Sequence, residues 1–338
     1  MSDLNTNGTK MQRLGVIEIG SRATRLLVAD IQDIMSLNQV KSRVMQSPII
    51  ELVGGNEQKL RHELDSLAAT IRSFVEDARR ESVDRAFVFG TEAIRQLAET
   101  TAFKHSDLAV LVDSVLDART EALCSLVAGN MSMRDHKSVG GDTVVIDQGS
   151  GSMEIAIGTV GKEIHVHQYT SSPLGGTQLL QVFRESKRSM GSLRAMVETI
   201  LDSLPERWPP IGRIIVMGTV STKFAWLGIR HDRSERYDPK RVDGASISLA
   251  SLLKVYSHID SFSKQKDTEA AWAEFQDFVN PGEQGGDAGE RVATGIVPLI
   301  EILKKIGKST CHVSAFGTRH GVAAILTVAP ELILSKGT

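Results

Sequence analysis

Two acidic residues in this chain stand directly before a short turn of small residues. Glu18 follows the apolar run that opens at Leu14 and precedes Ile19-Gly20-Ser21. Asp147 follows Thr143–Ile146 and precedes Gln148-Gly149-Ser150-Gly151-Ser152. A turn rich in Gly and Ser lets backbone N–H groups converge on an anion such as phosphate. A carboxylate beside such a turn repels phosphate unless a hard divalent cation lies between them, so the pairing implies Mg2+ or a similar ion. Two such turns facing each other would grip successive phosphates of one ligand. A single turn of this kind is more often an ordinary hairpin with a solvent-facing acid. The recurrence, together with Gly218-Thr219 and Gly317 at the ends of two further apolar runs, favours the phosphate reading.

The elements that must carry these turns follow from periodicity. Leu14 to Ile31 reads as strand, Gly-Ser turn, strand, and Thr143 to Gly158 repeats the pattern. Leu64, Leu67, Ile71, Phe74, Val75 and Ala78 recur at helical spacing. Arg85–Phe89, Leu108–Val112, Glu163–Tyr169, Arg213–Met217 and Cys311–Ala315 read as further strands. Asp117–Val127 reads as a helix with Asp117 as N-cap, and helices are also expected near 176–185, 246–262 and 291–306, with a closing helix after Gly317. The stretch Asn280–Gly289 is polar and Gly-rich, hence a loop, and Met1–Gln12 reads as a frayed tail. Alternation of strands and helices predicts α/β layers, and a device repeated about one domain apart predicts an internal duplication.

Whole-chain properties bound the function. A length of 338 residues exceeds what one core usually organises, so two domains are expected. Aromatic residues make up only 5%, too few for a base-stacking nucleic-acid binder. The formal net charge of -2 provides no general basic field, so an anionic ligand needs a local site. The two cysteines, Cys124 and Cys311, do not suggest a disulfide framework and fit a reducing, cytoplasmic compartment. No segment has the length and apolar character of a membrane span. His165 and His167 share a strand face at a spacing that could ligate metal, but no third ligand is evident in the sequence, so they read as structural. Cys124 reads as a small core residue, and the mixed charges of Arg230–Arg241 as a solvated loop.

Taken in order, the short motifs resemble those of the exopolyphosphatase and guanosine pentaphosphate phosphatase family. EIGSRATRL (Glu18–Leu26) is similar to its DIGSNSxRL motif, GTEAIR (Gly90–Arg95) to ATSAxR, and ARTEA (Ala118–Ala122) to GEEEA. DQGSGSME (Asp147–Glu154) is similar to DIGGGSxE. Pro173-Leu174-Gly175, GTVST (Gly218–Thr222), YDPKRVDG (Tyr237–Gly244) and GTRHG (Gly317–Gly321) follow in family order. The resemblance covers roughly Leu14 to Leu326.

It implies a two-domain actin-like ATPase superfold with ribonuclease H-like domains and an interdomain cleft. The expected boundaries are 13–128, 129–318, and a C-terminal helix over 319–338 packing back on the first domain. It implies a Mg2+-dependent phosphohydrolase removing terminal phosphate from inorganic polyphosphate or from guanosine penta- or tetraphosphate. Glu121 matches the family's catalytic glutamate. Asp147, Glu154 and Glu18 match metal-holding acids. Arg95, Gly20, Ser21, Arg22, Gly149, Ser150, Gly151, Ser152, Gly218 and Thr219 match phosphate-binding positions. Proteins of this superfold often pair through the second domain, so a homodimer is among the expectations. A catalytically weakened phosphate-chain or nucleotide sensor is the alternative, and a small-molecule kinase on the same superfold is less favoured.

Several positions depart from the family pattern. Glu18 replaces Asp, Arg22 replaces Asn, and Ala23 replaces Ser. Glu92 replaces a Ser and puts a negative charge near Arg95. Ser150 replaces Gly, which would be strained if that backbone needs positive φ. His320 replaces the Glu of the closing motif. Glu121, Asp147, Glu154 and Arg95 all survive.

Overall fold

A computed structural model describes residues 11–47, 49, 56–83, 85–134, 140–161, 163–204, 208–232, 235–264, 268–280 and 287–334. Most of the expected tail (1–10) and of the expected Gly-rich loop (281–286) lie outside the described residues. The chain divides into two compact units. The first comprises Met1–Met131, Val160–Ile164 and Gly317–Thr338; the second comprises Ser132–Thr159 and His165–Phe316.

The first unit is built on β1 (Gln12–Ile19), β2 (Ala23–Asp33), β3 (Ser36–Gln46), β4 (Ala86–Gly90) and β5 (Ser114–Val115), in the order β3-β2-β1-β4-β5. β1, β2 and β3 form an antiparallel meander, while β4 runs parallel to β1 and β5 parallel to β4. Both faces of β1 and β2 are apolar and buried, which is what a sheet covered on two sides requires. Ile17, Ile19, Leu26 and Val28 join the core made with Leu64, Ile71 and Phe74 of the helix Glu57–Arg80. That helix starts at Asn56, whose side chain accepts the N–H groups of Gln58 and Lys59.

The closing helix Thr318–Val328 packs on β1 and β2. It also meets the helix Ala118–Ser132 backbone to backbone. A Cβ at Gly321 would lie 1.9 Å from the carbonyl oxygen of Cys124, so only glycine permits this approach.

One expected strand is overturned. Leu108–Val112 is not a strand; a short helix, Asp107–Leu111, takes its place. Ser106 caps it by accepting the N–H of Ala109 at 3.3 Å, and Val110 is 87% exposed, so the run lacks the two-sided burial that an apolar strand needs. The strand that pairs with β4 is the two-residue β5 that follows. β3, by contrast, is mostly polar, and of its apolar residues only Leu37 is buried. It is a polar edge strand recruited by β2.

The second unit holds β6 (Asp142–Gln148), β7 (Met153–Val160), β8 (Ile164–Ser172), β9 (Ile211–Met217), β10 (Ser246–Ser248) and β11 (Thr310–Val313), in the order β10-β11-β9-β6-β7-β8. β6 pairs antiparallel with β7 and parallel with β9, and β11 lies parallel to β9. Read from the other edge, β8-β7-β6-β9-β11 repeats the first unit's order, with β10 added outside. The duplication seen in sequence is therefore a duplication of topology. The stretch expected as helix over 246–262 divides into β10 and the helix Leu249–Asp260, because Ser248 caps the helix by accepting the N–H of Ser251 at 3.0 Å. The helix Ala288–Ile306 is buried along most of its length and places Val292, Ile296, Leu299 and Leu303 in the unit's core.

Together the units make an α/β protein with two mixed sheets. Among the described residues, no helix is long and apolar enough to cross a membrane. Cys124 in the first unit and Cys311 in the second are buried free thiols. Burial pushes both thiols up, Cys311 to about 12.

Candidate active site

In the first unit, β1 is the strand at which the order reverses, with β2 leaving to one side and β4 to the other. Open α/β sheets bind ligands off the carboxyl ends of their strands at such a point. The turn after β1 lies there. Gly20 donates its N–H to Ala23 O at 3.1 Å, closing a tight turn around Ser21 and Arg22. Thr91, at the end of β4, donates its N–H to Ile19 O at 3.2 Å and so binds the two strand ends together. Glu18 lies directly across from Arg25 in the β1–β2 register. Its Oε2 is 3.9 Å from Arg25 Nη1 and 3.3 Å from Arg319 Nη1, and its side chain is largely buried.

Arg95 and Glu121 meet at the same edge. Asp117 accepts the N–H of Thr120 at 2.7 Å and starts the helix Ala118–Ser132, which carries Glu121 in its first turn. Glu121 is only 6% exposed. Arg95, on the short helix Glu92–Ala98 after β4, donates Nη1 to Glu121 and to Leu116 O. It also donates Nη2 to Glu92 at 2.5 Å. Burial opposes the charge of Arg95, but Glu121 and Glu92 outweigh it and raise its pKa. Burial likewise opposes ionisation of Glu92, yet the hydrogen bonds from Gln96 and Arg95 hold its carboxyl below the ordinary value. The sequence reading treats Glu92 only as a repulsive charge; the structure makes it a partner of Arg95.

The second unit repeats the device. Gly149 donates its N–H to Ser152 O at 3.0 Å, as Gly20 does to Ala23. The start of the helix Gly176–Glu185 braces this turn. Gly176 N–H donates to Gly149 O and Thr177 N–H to Ser150 O, each at 2.9 Å. Gly175 sits so near the turn that a Cβ would lie 2.4 Å from Gly151 C, which explains the Pro-Leu-Gly segment there. None of Gly20, Gly149, Ser150 or Gly151 has positive φ, so Ser150 carries no left-handed strain. Gly20 and Gly149 spend their N–H groups within their own turns.

Asp147 lies directly across from Glu154 in the β6–β7 register. Glu154 is buried and accepts a hydrogen bond from Ser171 Oγ at 3.0 Å. Beside them, Gly218 ends β9 with φ +97, and a Cβ there would lie 2.3 Å from Gln148 O. Thr219 opens the helix that follows.

Like charges directly opposite on an antiparallel pair repel. Asp147 and Glu154 therefore suit a hard cation, and Mg2+ is commonly held by one or two carboxylates plus water and phosphate. Among the described residues, no group of three or more His, Cys, Asp or Glu side chains is gathered to hold a metal. The rings of His165 and His167 lie parallel with centroids 6.4 Å apart, and His167 Nε2 is 3.4 Å from Asp142. His320 takes over a capping role, its Nδ1 accepting the N–H of Gly317 at 3.0 Å. Burial, and then Arg319, hold its pKa well below the ordinary value, so it is neutral.

Arg25 and Arg319 lie within the motifs EIGSRATRL and GTRHG but are not singled out there as site residues, and Ser171 lies outside every motif. Register could have found one of them, since counting outward from each turn sets Glu18 against Arg25 and Asp147 against Glu154. Nothing in the sequence marks Ser171.

Comparison with known proteins agrees with this architecture. No curated protein matches the chain. A Ppx/GppA enzyme of Aquifex aeolicus superposes with a TM-score of 0.71 at 22% identity, over 93% of this chain and 99% of that one. An exopolyphosphatase of Cytophaga hutchinsonii superposes with a TM-score of 0.67 at 19% identity, over 94% and 98%. The family model for the Ppx/GppA phosphatase family matches residues 51–327, most of the chain, and the chain belongs to that family.

Proposed function

We propose that the chain is a phosphohydrolase that removes the terminal phosphate of inorganic polyphosphate. The observation that carries this reading is one carboxylate assembly in each unit: buried Glu121 with Arg95 beyond β4 and β5, and Asp147 across from buried Glu154 on β6 and β7. Phosphoryl transfer to water needs charge neutralisation and positioning more than covalent chemistry. Glu121 accepts a proton from water, whose oxygen attacks the terminal phosphorus. The phosphoanhydride P–O bond breaks, and a chain one phosphate shorter leaves. Arg95 holds phosphate oxygens beside Glu121. Within each unit the residues inside the turn, Ser21 and Arg22 in the first and Ser150 and Gly151 in the second, are assigned to phosphate, with Gly218 and Thr219 beside the second turn. Asp147 and Glu154 would hold Mg2+, which when bound neutralises phosphate charge. Glu18, engaged by two arginines, is assigned to the support of the first turn.

Guanosine pentaphosphate presents a similar terminal anhydride and is the second substrate to test. Phosphate release with Mg2+ across polyphosphates, guanosine penta- and tetraphosphate and nucleotides decides between them. Wild type should release phosphate, and Glu121→Gln should fall by about a thousandfold while still binding the chain. Equal rates for the two proteins would reject the assignment of Glu121. The engagement of Arg95 by two carboxylates favours one other reading, a sensor that binds without turnover. Calorimetric binding with no release from any substrate would select it.

A further inference from the structure

Glu92 occupies the position at which the family motif has serine. Its Oε2 accepts from Arg95 Nη2 at 2.5 Å and from Nε at 3.2 Å. The Nε–Nη2 edge is the side of a guanidinium that forks onto a carboxylate or a phosphate. The remaining terminal nitrogen, Nη1, already serves Leu116 O and Glu121. Gln96 Nε2 donates to the other Glu92 oxygen at 2.6 Å, so the carboxylate is fixed in this pose from both sides. All five residues lie in the first unit, beyond the ends of β4 and β5.

We infer that Glu92 is a specificity-determining residue: a carboxylate of the chain itself that fills the phosphate-gripping edge of Arg95 and must be displaced before a phosphate chain is held there. The inference rests on Arg95 being a phosphate ligand of the proposed reaction. Its consequence is selection by charge. The displaced carboxylate stays within a side chain's length of the incoming phosphate, so every negative charge the ligand brings near Arg95 is opposed.

Calorimetry with inorganic tripolyphosphate and Mg2+ at low salt tests it. Glu92→Gln and Glu92→Ser should bind about tenfold more tightly than wild type, the size of one charged hydrogen bond no longer in competition. The gain should vanish in an Arg95→Ala background. A merely structural role for Glu92 predicts the reverse, looser binding in both variants with a lowered unfolding temperature. Affinity equal to or weaker than wild type in both correctly folded variants overturns the inference. So does a gain that persists without Arg95. Phosphate release reads the other question: a tenfold gain in binding with no release by any variant sustains this inference and sinks the hydrolase reading.

Discussion

The two hairpins are the same object with different charges. Each has an acid at the end of its first strand, a turn closed by a glycine N–H, and a cross-strand partner at the same offset. In the first unit the partner is Arg25, and Glu18 is neutralised by it and by Arg319. In the second unit the partner is Glu154, and two acids oppose each other. One acid is paired with arginines; the other faces a second acid, the arrangement to which the proposed Mg2+ is assigned. Equivalent backbone therefore does not imply equivalent charge, and the difference lies at a single cross-strand position in each hairpin.

Of the two hairpins, the second should show the larger effects. Asp147→Asn and Glu154→Gln should each lower kcat/KM for polyphosphate hydrolysis by about a hundredfold or more and weaken its Mg2+ dependence. Glu18→Gln should lower it by less than about tenfold, since it perturbs only a support. Comparable losses at Glu18 and Glu154, read from initial rates against Mg2+ concentration, would erase the distinction between the hairpins.

The glycines at the equivalent ends of β4 and β9 extend the comparison. A Cβ at Gly90 would meet the side chain of Ile94 at 2.5 Å, whereas one at Gly218 would meet the backbone carbonyl of Gln148 at 2.3 Å with φ already at +97. Gly218→Ala should cost roughly 3 kcal/mol or more and Gly90→Ala about 2 kcal/mol, because Gly218 adds a left-handed φ to its clash with a strand carbonyl, whereas Gly90 meets only the branched Ile94 side chain. Urea unfolding of both variants ranks them.

A smaller effect concerns acid. His320 is neutral in the folded first unit and titrates near its ordinary value once unfolded, so the unfolded chain takes up a proton that the folded one refuses. Its contribution is intact above about pH 6.5 and declines as the pH falls below that, by at most about 1.4 kcal/mol per pH unit. Urea midpoints of wild type and His320→Asn between about pH 7.5 and 5 should therefore converge toward acid. The smallest change is Ser171→Ala. Loss of the hydroxyl that orients Glu154 should lower activity by about three- to tenfold without moving the unfolding temperature.

Much of this architecture was legible in the sequence because the signals were two-sided apolar strands and glycines at strand ends. Those features survive any surroundings, and they placed β1, β2, β6, β7 and β9 and the turns between them. Leu108–Val112 misled because a short apolar run has no period of its own, and a serine cap decided it. β3 was invisible because a mostly polar edge strand whose Val40, Val44 and Met45 stay exposed owes its pairing to β2 rather than to burial. In the site, the acids and arginine stood out by motif, but the pairing of Glu92 with Arg95 and of Ser171 with Glu154 is a product of side-chain placement that spacing does not encode.

The two cysteines give the molecule a gauge in each half. Cys124 abuts the glycine contact of the first unit, Cys311 lies in β11 of the second, and neither thiol is accessible or ionised in the native state. Alkylation must then wait for its own surroundings to open. The pace at which each sulfur is labelled under a slow thiol reagent, followed by mass spectrometry, separates the opening of one half from that of the other with no engineered probe.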